Sequence, residues 1–76
     1  MNFFVDLFRA AGPRPKYHRI DVSTDVLVRT VREYKSKGYS IQQKRFDGVV
    51  LVKKGEIVEV VPQFSMSWLD SEFEEL

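Results

Sequence analysis

Cysteine is absent from this 76-residue chain, and histidine occurs once, as His18. The first absence excludes disulfide frameworks and thiolate metal sites; the second excludes an imidazole cluster, so neither a metal nor a cofactor is expected. Long apolar runs are missing too. The longest is Val49 to Val52, far short of the roughly 20 residues that cross a bilayer, so no membrane span is expected. No basic segment leads the N-terminus, and Asp6 interrupts the apolar stretch Phe3 to Phe8, which is wrong for a secretory signal. The expectation is a cytoplasmic protein. A chain of this size buries only about 60 % of the surface its unfolded form exposes, which limits it to one small core.

Catalytic equipment is equally sparse. The four glycines stand apart at 12, 38, 48 and 55, each beside a predicted turn, so no loop can cradle a phosphate. No serine lies in a Gly-x-Ser-x-Gly elbow. His18 shares strand parity with Ile20 and Val22, which predicts a half-buried, hydrogen-bonded residue rather than a general base. Glu72, Glu74 and Glu75 are clustered carboxylates without the spacing of a calcium loop. The chain reads as a non-enzyme with no small-molecule substrate.

What is present is charge asymmetry. All twelve Lys and Arg lie in residues 1–54 beside five acids, whereas 55–76 holds six acids and no base. The two segments carry +7 and −6, a cue to an interaction surface. Either the acidic tail folds back on its own basic body, or one of the two meets a partner.

Three regions follow from the patterning. In 1–12, Phe4, Leu7, Phe8 and Ala11 recur at helical spacing, which predicts a short amphipathic arm ended by Gly12-Pro13-Arg14-Pro15. In 16–62 an α+β core is expected. Residues 16–22 alternate as a strand, and Ser23-Thr24-Asp25 offers cap oxygens for a helix over 24–37. Its buried stripe is Leu27, Val31 and Tyr34, and Gly38 supplies the left-handed end. Strands at 40–46, 49–53 and 56–61 then form an antiparallel meander, with a type I′ turn predicted at Asp47-Gly48 and a second reversal near Lys54-Gly55. In 63–76, Phe64, Trp68 and Phe73 punctuate an acidic tail that turns helical after a Ser67 cap.

With two-residue loops, one sheet face carries Phe46, Val49, Leu51, Val58 and Val60 and meets the helix. The other carries Ile41, Val50, Val52, Ile57 and Val61. An open antiparallel face is ordinarily polar; this one is aliphatic, so it is expected to be covered by a terminus, by a second copy in a homodimer, or by another protein. The candidate partner-binding residues are Phe4, Phe8, Trp68, Leu69, Phe73, Val50, Val52 and Ile57. Tail aromatics among acids suit an acidic peptide that inserts anchors into a groove, and equally a tail that pins itself to its own core.

The competing reading is a nucleic-acid-binding domain. Arg29 and Arg32 share the exposed helix face, and Lys44, Arg45, Lys53 and Lys54 lie on the adjoining strands, enough to neutralise several phosphates. A net charge of only +1 argues against a purely electrostatic binder. The element order resembles many small α+β domains, some of them phage-encoded or accessory regulators. That resemblance is one of topology and carries over no site residues. The preferred expectation is a non-catalytic protein-interaction module, a regulator or inhibitor of a larger intracellular machine such as a phage targets in its host.

Overall fold

The computed structural model describes residues 16–76. The predicted N-terminal arm, with Phe4 and Phe8, lies outside the described residues. Alternation in Lys16–Val22 yields the first strand, β1, and the Ser23-Thr24-Asp25 step after it becomes a short 3-10 turn, Thr24–Val26, that leads into the helix α1, Leu27–Ser36. Strands β2, Ser40–Arg45, β3, Gly48–Lys53, and β4, Glu56–Pro62, follow, and a one-turn helix, α2, Ser71–Glu74, ends the fold. The strands form one mixed sheet in the order β1-β4-β3-β2. The meander β2-β3-β4 is antiparallel as the patterning predicts, and β1 joins β4 in parallel over all seven of its residues.

The core is the contact between α1 and one sheet face. Leu27, Val28 and Val31 from the helix meet Val49, Leu51, Val58 and Val60 from β3 and β4, all buried. Burial of such side chains contributes about 1.5–3 kcal/mol each, which explains why this face is specified so firmly. Met66 and Phe73 from the tail complete the cluster. Because α1 lies over β3 and β4, the edge strand β1 is less sheltered. Ile20 and Val22 are only partly buried, and His18 is exposed rather than half-buried.

Local details depart from the sequence reading in four places. The β2–β3 register shifts between Ile41 and Gln43; this bulge reverses parity, so Ile41 opposes Leu51 and packs toward the core instead of the opposite face. The β2–β3 turn is centred on Phe46-Asp47, since Arg45 pairs with Gly48. Only Gly38 and Gly55 among the described residues have positive φ, at 100° and 78°, so the type I′ turn at Asp47-Gly48 is not formed. Ser23 makes no side-chain cap bond. Instead the neighbouring Thr24 hydroxyl donates to the Phe64 carbonyl at 3.0 Å and accepts from the Phe64 amide at 2.8 Å, tying the helix entrance to the tail.

Gly38 does what its position predicts. It closes α1 in a left-handed conformation, while Lys53 donates to the Lys37 carbonyl at 2.8 Å and sits 5.3 Å from the Tyr39 ring centre. That cation satisfies a helix-end acceptor that would otherwise face water alone.

Candidate functional site

The tail is held at two points, and the segment between them is displayed. At the first point the Met66 amide donates to the Phe46 carbonyl at 2.7 Å and the Met66 side chain enters the core. At the second, Phe73 is 1 % exposed and its ring lies 5.6 Å from that of Phe46. Lys44 locks this second point. Its ammonium donates to the carbonyls of Phe73 at 3.1 Å and Glu74 at 3.0 Å, and stands 5.2 Å from the Phe73 ring centre. A cation at the end of α2 gives the Glu74 carbonyl a donor, adds to the bond that the Phe73 carbonyl accepts from the Leu76 amide, and complements the local dipole.

Between these anchors the chain turns on its own side chains. The Ser67 hydroxyl accepts from the Leu69 amide at 3.0 Å, and the Asp70 amide donates to the Ser67 carbonyl at 3.0 Å. The cap of α2 is Asp70, not Ser67. Its carboxylate accepts from the amides of Glu72 at 3.0 Å and Phe73 at 3.1 Å, the arrangement that satisfies orphan donors at a helix start. Trp68 and Leu69 therefore occupy a defined loop, and they are 70 % and 72 % exposed. Phe64, before the first anchor, is also 70 % exposed.

Of the residues singled out from sequence, the structure separates Phe73 from its neighbours. It takes the self-pinning role weighed for the tail, and a side chain buried this deeply has no surface to offer a partner. Val50 and Ile57 are 8 % and 7 % exposed, and Val52 is half-buried. They lie on the side of the sheet away from α1, outside the core cluster. On the same side the Tyr17 hydroxyl donates to the Glu59 carboxylate. That hydrogen bond, reinforced by partial burial and the negative charge, holds the Tyr17 phenol above its ordinary pKa.

The six basic residues do not converge. Arg32 pairs with Glu72 at 3.3 Å, Lys44 clamps the tail carbonyls, and Lys53 caps α1. Arg45 lies 3.7 Å from Asp47 on the other face, while Arg29 is exposed on α1 and Lys54 in the β3–β4 turn. The shallow cleft that Arg29 and Arg32 line is also lined by Asp25, Glu33, Asp70 and Glu72. Acids interleaved in this way cancel much of the field a phosphate backbone would meet.

Sequence reasoning missed Lys44, Met66 and Thr24 as the fasteners of the tail. The one signal for Lys44 was its parity with Val49 on the core face, an odd place for an unpaired cation. Among the described residues no three His, Cys, Asp or Glu side chains are grouped to hold a metal ion, and no helix is long and apolar enough to cross a membrane. Comparison with protein-family models, with curated proteins and with solved structures finds no match, so a functional reading rests on the chain's own residues.

Proposed function

We propose that this protein is a non-catalytic interaction module that docks on another protein through the Trp68-Leu69 loop. The observation that carries the reading is the exposure of two adjacent large apolar side chains on a loop fastened at both ends. A tail evolved only to cover its own core would turn Trp68 inward as it does Phe73. Here the buried residues hold the loop in place and the exposed pair is free to insert. Trp is the residue most enriched at energetic centres of protein interfaces, and a pre-ordered loop loses little conformational entropy on binding.

The surroundings define the chemistry of the partner. Asp70, Glu72, Glu74 and Glu75 follow the pair directly, and Arg32 neutralises only one of them among the described residues. The complementary surface is an apolar pocket rimmed with Lys or Arg, the arrangement that steers an acidic ligand into register. Regulation or inhibition of a larger assembly is the role that a small, rigid, single-loop binder fits.

Affinity capture from a lysate with and without nuclease tests this reading, with the wild-type protein compared to Trp68→Ala/Leu69→Ala. The expected result is a set of proteins retained by the wild type and lost with the double variant. Retention unchanged by the double variant, or abolished by nuclease, overturns it.

A further inference from the structure

The two edges of the sheet are finished differently. At one edge, β2 carries a bulge between Ile41 and Gln43, and the tail binds beside it through Phe46 and Lys44. Bulges and covering segments are the usual means of blunting an edge against another strand. At the other edge, β1 runs seven residues in unbroken register with β4 and contains neither a proline nor a bulge.

The direction of its hydrogen bonds is fixed by two contacts. The Lys16 amide donates to the Gly55 carbonyl, and the Val22 carbonyl accepts from the Gln63 amide, both at 2.9 Å. Even-numbered residues of β1 thus turn their backbone groups toward β4. The N–H and C=O groups of Tyr17, Arg19 and Asp21 point out of the sheet, and five of the seven strand positions, Lys16 to Arg19 and Asp21, are exposed.

We propose that two copies of this chain pair through β1 in antiparallel fashion, about a two-fold axis at Ile20, to give a continuous eight-stranded sheet with both α1 helices on one side. The register follows from charge. An axis at Ile20 sets Arg19 of each copy opposite Asp21 of the other, twice, and all four residues direct their backbone groups at the partner strand. An axis at Arg19 would oppose arginine to arginine, and one at Asp21 would oppose aspartate to aspartate, arrangements that cross-strand pairing disfavours. Within one chain Arg19 and Asp21 already lie 3.3 Å apart. The pairing extends this contact into an alternating quartet. On the helix side, Ile20 meets Ile20 and His18 meets Val22, so the apolar side chains left partly open at the edge gain cover.

This inference goes beyond the Trp68-Leu69 reading and does not depend on it. Sedimentation equilibrium of the full chain up to about 1 mM is expected to show a monomer–dimer equilibrium. Arg19→Asp and Asp21→Arg each place like charges opposite one another and weaken the dimer roughly 5- to 30-fold. The combination Arg19→Asp/Asp21→Arg restores opposite pairs and returns the affinity to near the wild-type value. Both side chains are well exposed, so these variants fold. In a chain without cysteine, Ile20→Cys is expected to form an oxidised dimer, since facing Cα atoms at such a position lie about 4.5 Å apart, within disulfide reach; His18→Cys is not. A monomer at every concentration, a dimer indifferent to the charge swaps, or efficient cross-linking of His18→Cys overturns the proposal.

Discussion

Trp68 and Phe73 belong to the same acidic tail, five residues apart, yet one stands 70 % exposed and the other 1 %. The difference lies in what each can reach. Phe73 follows a helix start that Asp70 fixes, and one helical turn carries its ring onto Phe46 and under the Lys44 ammonium. Trp68 precedes that cap, in a loop whose direction is set by Ser67 and Asp70. Side-chain hydrogen bonds to the backbone, not hydrophobicity, decide which aromatic goes in. Burial of the first then makes exposure of the second a permanent feature of the folded surface.

The most direct way to break this contrast is to remove the buried member. Phe73→Ala is expected to destabilise the protein by about 3–5 kcal/mol, the usual cost of deleting a core ring. A domain of this length holds only about 4–11 kcal/mol in all, so urea unfolding will show a much lower midpoint or no cooperative transition. A midpoint near that of the wild type would mean that the tail does not belong to the core. Asp70→Ala comes next, at about 1 kcal/mol for a lost helix cap. Faster hydrogen exchange at the amides of Glu72 and Phe73 will report it, and unchanged exchange there would remove Asp70 from its role.

The body of the fold is legible in the sequence because its signals are redundant. Leu27, Val28 and Val31 recur at helical spacing, Gly38 marks the end, and alternation in β3 and β4 names Val49, Leu51, Val58 and Val60 as the core face before any coordinates. Two kinds of information are not written that way. The bulge at Gln42 leaves no compositional mark, and it alone moves Ile41 to the core side; a period-two pattern has no term for an inserted residue. The tail's fasteners join residues distant in sequence, Lys44 to Phe73 and Thr24 to Phe64, and a cation serving carbonyls reads in sequence as one more surface charge. Trp68 and Leu69 were visible as candidates from their composition. Their separation from Phe73 depends on the cap at Asp70, whereas the sequence pattern points to Ser67.

A smaller effect distinguishes aromatics held by a hydroxyl from those held by ring burial. Tyr39 donates to the Glu56 carboxylate at 2.7 Å, and this bond, with partial desolvation and the nearby negative charge, raises its pKa. A proton held more tightly in the folded state stabilises it below the unfolded value of about 10. That contribution is lost as pH rises through the higher folded value. The urea midpoint of the wild type should therefore fall as pH rises above about 10, and that of Tyr39→Phe should fall less steeply. Equal slopes would show that the bond does not survive in solution.

The smallest stability effect belongs to the exposed pair, and its smallness is the point. Trp68→Ala/Leu69→Ala removes a great deal of apolar surface, but from side chains already in water, so the change in unfolding free energy should stay within about 0.5 kcal/mol. Thermal unfolding should be superimposable on the wild type, with the hydrogen-exchange protection of Glu72 and Phe73 intact. The same double variant is the one expected to lose its protein partner. Loss of binding without loss of stability would separate display from support within a tail of fourteen residues. If the variant instead unfolds with Phe73→Ala-like severity, the ring of Trp68 must be packing in solution, and the loop would be core rather than interface.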